Sequence, residues 1–505
     1  VKSHQFHLAT EAETRKFAED LSLFLQAGMI VTLSGDLGAG KSTFARALIK
    51  ALAKSDQDFD VPSPTFSLIQ TYDMTRVPVV HVDLYRTKTG AEVKELGLAE
   101  LAANHLLIVE WPNSGIPGLD SARLQLEFSG SGNSRDVEVT AVGACTALIS
   151  RFVEIQTFLK QHNFRYLARK YLDGDASSRR YERLQNGTSK FILMDMPAKP
   201  DGPPVKDGKP YSAIAHLAEG LRSVVAMNDL LVERGFAAPR VLACDISAGL
   251  AVIEDFGDAI YGRLRAAGEP MREPMAAAVE VLNAIAGQPW PAQFRMRDGS
   301  TYTMQPYDLE AQLIEVDLLV SWFLPHINSK PPTESEVTAF HEFWTNVLPL
   351  TKADAPVWVL RDFHSPNLIW RPEQTGVKRV GLIDTQDALL GHPAYDLVSL
   401  LQDARIDIPV DEERGLLAHY LELRKAAGNF DVEEFKQAYA ILGAQRATKI
   451  LGIFARLAKR DGKLGYLKHI PRVSRYLNRN LQHPSLSALR RWFERNLPEA
   501  IEGNN

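Results

Sequence analysis

MIVTLSGDLGAGKSTFARAL, residues 29–48, sets an apolar run against a glycine-rich loop and then a helical pattern. The run lacks polar alternation, as a strand buried on both faces of a parallel sheet does. Gly35, Gly40, Lys41 and Ser42 then satisfy G-x-x-x-x-G-K-[ST]. Glycines allow a tight loop whose N–H groups face phosphates, and the helix N-terminus that follows adds partial positive charge. On this reading Lys41 reaches the β- and γ-phosphates of a nucleotide, and Ser42 offers its hydroxyl oxygen to Mg2+.

Outward from this loop, residues 11–25 carry an amphipathic helical pattern, and apolar runs recur at 77–84 (VPVVHVDL) and 106–111 (LLIVEW). Asp83 and Glu110 end those two predicted strands. In a parallel sheet the C-terminal strand ends lie beside the phosphate loop, where acids handle the metal and the attacking water. Residues 124–142 alternate apolar and polar positions around SGSGNS, which predicts an antiparallel hairpin. The first domain is expected over 1–145, an α/β P-loop NTPase unit, with a linking helix over 146–160.

The 505 residues leave room for about three folding units at ~150 residues each. The composition, 45% hydrophobic and 24% charged, is that of a globular protein and excludes a disordered chain. The net charge of −5 is uneven: residues 1–148 hold 13 basic and 18 acidic residues, while 449–495 hold 12 basic and two acidic. The acidic first third lacks the broad basic patch that unaided nucleic-acid binding requires. The basic tail reads either as an anion-binding surface or as helices with solvated basic faces. Cys145 and Cys244 are too few for a disulfide framework and fit buried thiols in a reduced, cytoplasmic compartment. No run is apolar enough to span a membrane, and no secretory leader pattern opens the sequence.

A second constellation lies in VWVLRDFHSPNLIW, 357–370, where Asp362 and Asn367 form D-x-x-x-x-N; a predicted strand at 379–383 then delivers Asp384. This is the layout of a kinase-type catalytic loop and metal site, with Asp362 accepting a hydroxyl proton and Asn367 and Asp384 binding Mg2+. His364 reads as a packed or capping residue. Strand signals before mostly helical ones predict an α+β two-lobed, protein-kinase-like domain. Its N-lobe is expected over 161–257 and its mostly helical C-lobe over 258–505, with 197–210 (PAKPDGPPVKDGKP) a surface loop.

GDLGAGKST, VPSPTFSLIQTY (61–72), HVDLYR (81–86) and VEWP (109–112) together resemble the TsaE family, P-loop ATPases of tRNA threonylcarbamoyladenosine synthesis. The resemblance covers 1–142 and implies ATP hydrolysis. It sets Gly38, Ala39, Gly40, Lys41, Ser42 and Thr43 around the phosphates, Ser42 and Glu110 at Mg2+, and Asp83 in a Walker-B-like role. Thr65 falls in the family's SPTF segment, and Trp111 at an exposed aromatic position or a plain packing one. Partners of the TsaB and TsaD kind are implied, with tRNA met only through them.

GLIDTQDALLGHPAYDLVSLL (381–401) is similar to the aminoglycoside phosphotransferase and choline kinase superfamily. DASSRRYERL (175–184), FILMDMP (191–197), APRVL (238–242) and EDFGD (254–258) more narrowly resemble sugar kinases of the AmgK type, which phosphorylate the anomeric hydroxyl of N-acetylmuramate or N-acetylglucosamine. An aminoglycoside, another small alcohol, or a catalytically weak scaffold role stay open as alternatives. By this resemblance Ser177, Ser178 and Arg180 lie over the phosphates of ATP, and Glu254 belongs to the adenine hinge. Fold analogy alone places Asp308 and Glu315 near a sugar. Two positions depart from the pattern: Leu360 stands where a histidine is usual, and the strand 191–197 lacks the usual lysine, for which Lys190, Arg180 or Arg183 could substitute.

Overall fold

The hydrophobic runs around the phosphate loop become adjacent parallel strands in the structure, a computed structural model. It describes residues 1–505 apart from 54–58, 113–121, 131, 173–178, 199–201, 328–330, 429 and 499–505. Contacts divide the chain into two units, Val1–Asp195 and Met196–Asn505. Three strands assigned above to the kinase N-lobe thus cluster with the phosphate-loop segment.

In the first unit the elements run β1 (Lys2–Leu8), α1 (Glu11–Ser22), β2 (Ile30–Gly35), α2 (Lys41–Ala51), β3 (Ile69–Tyr72), β4 (Val79–Asp83), α3 (Gly90–Glu95), α4 (Leu98–Ala102), β5 (Leu106–Glu110), β6 (Arg123–Ser129) and β7 (Arg135–Val142). The sheet order is β1-β7-β6-β2-β5-β4-β3. Strands β6, β2, β5 and β4 are parallel, and every residue of β4 and β5 is buried, as their unbroken apolar runs require. The hairpin β6–β7 is antiparallel as expected. Strand β1 was not legible in the sequence. Its short half-exposed register on β7 carries little apolar signal.

One face of the sheet is closed by Val80, Val82, Val93, Leu98, Leu107 and Val109. The other carries α1, α2 and the predicted linking helix, α5 (Cys145–Gln161). Phe152 of α5 meets Phe17 at 5.6 Å and Phe24 at 5.4 Å, so this helix is part of the core rather than a tether. Beyond it β8 (Ala168–Leu172), β9 (Arg180–Asn186) and β10 (Ser189–Asp195) pair antiparallel. Arg169 on β8 donates to both oxygens of Glu182 on β9, at 2.7 and 3.1 Å, and lies 3.8 Å from Asp20 of α1.

In the second unit the strands Val241–Asp245 and Leu250–Glu254 form an antiparallel hairpin, followed by predominantly helical structure. The segment at 197–210, expected to be a plain loop, contains a two-stranded ribbon of Pro204–Lys206 with Lys209–Pro210, partly outside the described residues. The 30-residue helix Val432–Asp461 forms the spine of the helical core. At Gly452 an added Cβ would lie 2.3 Å from the Leu318 carbonyl carbon, so only glycine admits this close helix crossing. Among the described residues no helix is long and apolar enough to cross a membrane. Cys145 is buried as expected, whereas Cys244 is only half-buried.

The basic tail takes the blander of its two readings at several positions. Arg472 bonds Asp407, Arg479 bonds Glu413 and Arg490 bonds Glu494, while Trp492 and Phe493 enter the core.

Candidate active sites

The phosphate loop leaves β2 at Gly35, whose φ of +127° and 2.2 Å approach of a virtual Cβ to the Phe128 carbonyl oxygen admit no side chain. Gly38 and Gly40 also take positive φ. Arg135, from the start of β7, donates to the carbonyls of Ala39 at 2.6 Å and Gly38 at 3.1 Å, clamping the loop from above. Lys41 opens α2, with Thr43 two residues on. The Lys41 ammonium donates to the Gly35 and Asp36 carbonyls at 2.7 and 2.8 Å and lies 3.6 Å from the Trp111 ring centroid. Burial lowers its pKa, against the opposing charges of Glu110, Asp36 and Asp83. Trp111 therefore has a definite role here: its ring backs the loop lysine, held there by a backbone φ of +58°.

Parallel pairing places Asp83 and Glu110 opposite each other at their strand ends. The Ser42 hydroxyl donates to Glu110 Oε2 at 2.7 Å, and His81 Nε2 lies 2.9 Å from Glu110 Oε1. Thr65 and Ser63 donate to Asp83 Oδ2 at 2.8 and 3.2 Å. The sequence-predicted set of Lys41, Ser42, Asp83 and Glu110 is thus brought together. His81, which orients Glu110, was missed; a histidine inside an apolar strand was its only signal. These are hard oxygen donors and suit Mg2+. Among the described residues no cluster of three or more His, Cys, Asp or Glu forms a self-sufficient metal site, so an ion here would share its shell with nucleotide phosphates.

The second site lies within the second unit. The strand Val357–Val359 ends at Leu360, and the N–H groups of Leu360 and Arg361 donate to the Asp396 carboxylate at 2.6 and 2.9 Å. Burial pushes Asp396 up to about 7 even so. This double bond holds Arg361 at a φ of +65° and turns Asp362 outward. Asn367 Nδ2 donates back to the Asp362 carbonyl at 3.1 Å. Pairing of Leu368–Trp370 with Val380–Leu382 brings Asp384 beside Asn367, and Ile383 N–H donates to the Asn367 carbonyl at 3.1 Å. The three residues picked out by spacing thus share one loop cluster.

The Asp362 side chain is 39% exposed. Desolvation raises its pKa, but the charges of His364, Arg446, Lys449 and Arg361 outweigh this and hold it at about 2. His364 is buried, pushed down to about 4 by desolvation, and lies 3.2 Å from Arg405 Nη1, a packed residue as expected. Glu254 ends its strand with its carboxylate on Arg240, at 2.9 Å to Nη2 and 3.1 Å to the backbone N–H. In the first unit, Arg180 donates to Glu182 at 2.5 Å and stacks at 3.6 Å over Phe24. Lys190 is exposed at the start of β10 and Arg183 pairs across from Ile192. Ser177 and Ser178 lie outside the described residues.

Glu315 is fully buried and does not face a ligand, contrary to the analogy. It is bonded to Arg361, to Lys449 at 2.7 Å and to Tyr307 at 2.5 Å. Asp308 caps the helix at Leu309–Leu318. Burial works to raise Glu315, but Lys449 and Arg361 hold it at about 2, against an ordinary 4.5. A depressed folded-state pKa stabilises above the unfolded value and is lost as pH falls. Thermal melts should therefore show stability falling between pH 4.5 and about 2. Glu315→Gln should flatten that acid limb while costing about 3–5 kcal/mol at neutral pH, because it strands two buried cations.

A phosphate loop with its strand-end acids and a D…N…D catalytic cluster together define a chain built from a P-loop NTPase domain and a kinase-like phosphotransferase. The chain belongs to the phosphotransferase enzyme family, whose model matches residues 169–435. The model described as threonylcarbamoyl adenosine biosynthesis protein TsaE matches residues 8–137. The chain is 40% identical to the N-acetylmuramate/N-acetylglucosamine kinase of Caulobacter vibrioides over 350 residues, 68% of this chain and 95% of that protein. The kinase of the same name from Neisseria meningitidis is 33% identical, over 60% of this chain and 83% of that protein. The tRNA threonylcarbamoyladenosine biosynthesis protein TsaE of Rickettsia felis is 42% identical over 104 residues, 21% of this chain and 60% of that protein. The protein is an enzyme with a TsaE-like N-terminal part and an AmgK-like kinase part.

Proposed function

We infer that the chain is bifunctional: an ATP-hydrolysing subunit that supports threonylcarbamoyladenosine modification of tRNA, and an ATP-dependent kinase for the anomeric hydroxyl of N-acetylmuramate or N-acetylglucosamine. The observation that carries the second activity is the convergence of Asp362, Asn367 and Asp384 in a chain 40% identical to a kinase of that name. ATP is the phosphoryl donor for both parts, Mg2+ the metal, and the cytoplasm the compartment.

In the kinase the sugar hydroxyl oxygen attacks the γ-phosphorus, the bond to the β–γ bridging oxygen breaks, ADP leaves, and the hydroxyl proton passes to the Asp362 carboxylate. A carboxylate this acidic is a weak base, so it orients the hydroxyl and takes the proton late. Asn367 and Asp384 would hold Mg2+, which would supply charge neutralisation for the transferring group. In the ATPase, Ser42 and Glu110 would hold Mg2+, Lys41 bears on the phosphates, and Asp83 with Thr65 orients the attacking water. The acidic balance of residues 1–148 favours protein partners of the TsaB and TsaD kind, with tRNA reached through them.

The test is a panel of N-acetylmuramate, N-acetylglucosamine, kanamycin and choline with labelled ATP and the full chain. Label should move to the amino sugars at the anomeric position. Exclusive transfer to kanamycin or choline would overturn the substrate assignment, and no transfer to any would leave a scaffold.

A further inference from the structure

The acidic balance of the N-terminal third conceals a local concentration of the opposite charge. A cleft of about 1090 Å³ within the first unit is lined by Arg15, Arg46, Lys50, Arg76, Lys170 and Arg183, with Arg169 at its base and Glu19 as its one carboxylate among the described residues. The unit as a whole has 22 basic and 23 acidic residues, so seven cations around one cavity are a concentration rather than a sample. One wall is built by α1 and α2 of the TsaE-like segment, and the other by β8 and β9 of the phosphotransferase segment. Neither segment alone forms it.

Two details indicate a ligand rather than a solvated charged face. Arg169 has a fully buried side chain; Glu182 takes two of its nitrogens, and Nη1 lies 3.8 Å from Asp20 Oδ2 without a hydrogen-bond acceptor among the described residues. A buried donor left without an acceptor costs about 1–3 kcal/mol, which an anion reaching the cleft floor would remove. Arg46, on the α2 wall, donates to the Val61 carbonyl at 3.2 Å and pairs with no carboxylate among the described residues. Guanidinium forks match phosphate oxygens bidentately, and five of the seven cations are arginines. The volume is that of a nucleotide-sized ligand, well beyond a single phosphate. A long nucleic acid would instead need basic residues continued outside the cleft, which the near-neutral unit does not supply.

We propose that this cleft, which adjoins the phosphate loop at Thr43 but does not include Lys41 or Ser42, is a binding site for a small ligand carrying three or more phosphate groups. It runs along α2 from Thr43, next to the phosphate-loop Ser42, so its occupant adjoins the ATPase machinery without replacing its nucleotide.

The experiment is calorimetric titration of the full chain, with both nucleotide sites saturated by ADP, which carries only two phosphates, and excess Mg2+. The probes are inorganic tripolyphosphate, GTP and a 12-nucleotide single-stranded RNA. One-to-one saturable binding of tripolyphosphate or GTP is expected. The Lys50→Glu, Lys170→Glu double variant should weaken it by about tenfold or more, with ATP hydrolysis and sugar phosphorylation unchanged. Tighter binding of GTP than of tripolyphosphate identifies a nucleoside polyphosphate as the source, and equal binding an inorganic chain. Should the double variant fold poorly, Arg46→Gln must weaken the same isotherm. No saturable binding, binding unaltered in the variants, or binding of RNA alone would overturn the proposal.

Discussion

Lys41→Ala should reduce ATP hydrolysis measured without sugar by about 10²- to 10³-fold, the scale of losing one preorganised cationic contact to a developing phosphate charge. The lysine is 4% exposed and spans the loop it belongs to, bonding the carbonyls of Gly35 and Asp36. Trp111 closes one side of the ammonium and Glu110, Asp36 and Asp83 surround it with negative charge. An alanine there removes the cation and leaves three acidic groups around the phosphates. The loop should nonetheless hold its shape, because Arg135 clamps Gly38 and Ala39 independently of Lys41. Thermal melting should move little, and sugar-phosphate formation should persist, since Asp362 and its neighbours lie in the other unit. Cells relying on this variant should lose modified tRNA. Unchanged modification levels there would remove the tRNA role, whatever the hydrolysis rate.

Much of this site was legible because its chemistry is local in sequence. A P-loop places Gly35 to Thr43 in one stretch, and the acids ended recognisable strands. His81 and Arg135 were not assigned functions because their roles depend on register. His81 meets Glu110 through parallel strand pairing, and Arg135 reaches the loop from a hairpin almost a hundred residues away. The same reason hid the cleft. Its cations come from α1, α2, the segment before β4, β8 and β9, and in the linear sequence they are scattered basic residues with no motif to join them. Charge counted along the chain gave an acidic domain, while charge counted in space gives a basic cavity.

In the kinase part, spacing found Asp362, Asn367 and Asp384, and missed what holds them. Asp396 was visible in GHPAYDLV only as one more acid, and Glu315 was read as a sugar contact. Burial reverses that second reading. Glu315 sits beneath Arg361 with Lys449 and Tyr307, so it fixes the residue before the catalytic aspartate rather than meeting a substrate. The departure at Leu360 also becomes intelligible. What the turn needs from that position is its backbone N–H on Asp396, and the leucine side chain is simply buried.

Asp362→Asn should lower the rate of sugar phosphorylation by about 10²- to 10⁴-fold, the range for removing a positioned general base. The loss should fall on kcat, with the KM for the sugar little changed, because an amide can still hydrogen-bond the hydroxyl but cannot take its proton. The fold should tolerate the change. The loop is held through backbone groups, by Asp396 on Leu360 and Arg361 and by Asn367 on the Asp362 carbonyl, and none of these uses the Asp362 side chain. That side chain is partly exposed, with Arg446 Nη2 as far as 4.0 Å, so no tight buried ion pair is broken. ATP hydrolysis without sugar should be unaffected, which makes the variant the mirror image of Lys41→Ala and separates the two activities in one chain. Since the carboxylate is held at about 2, the wild-type rate should show no acid limb from Asp362 above pH 4 or so. A variant that keeps the wild-type rate would show that this carboxylate is not the base.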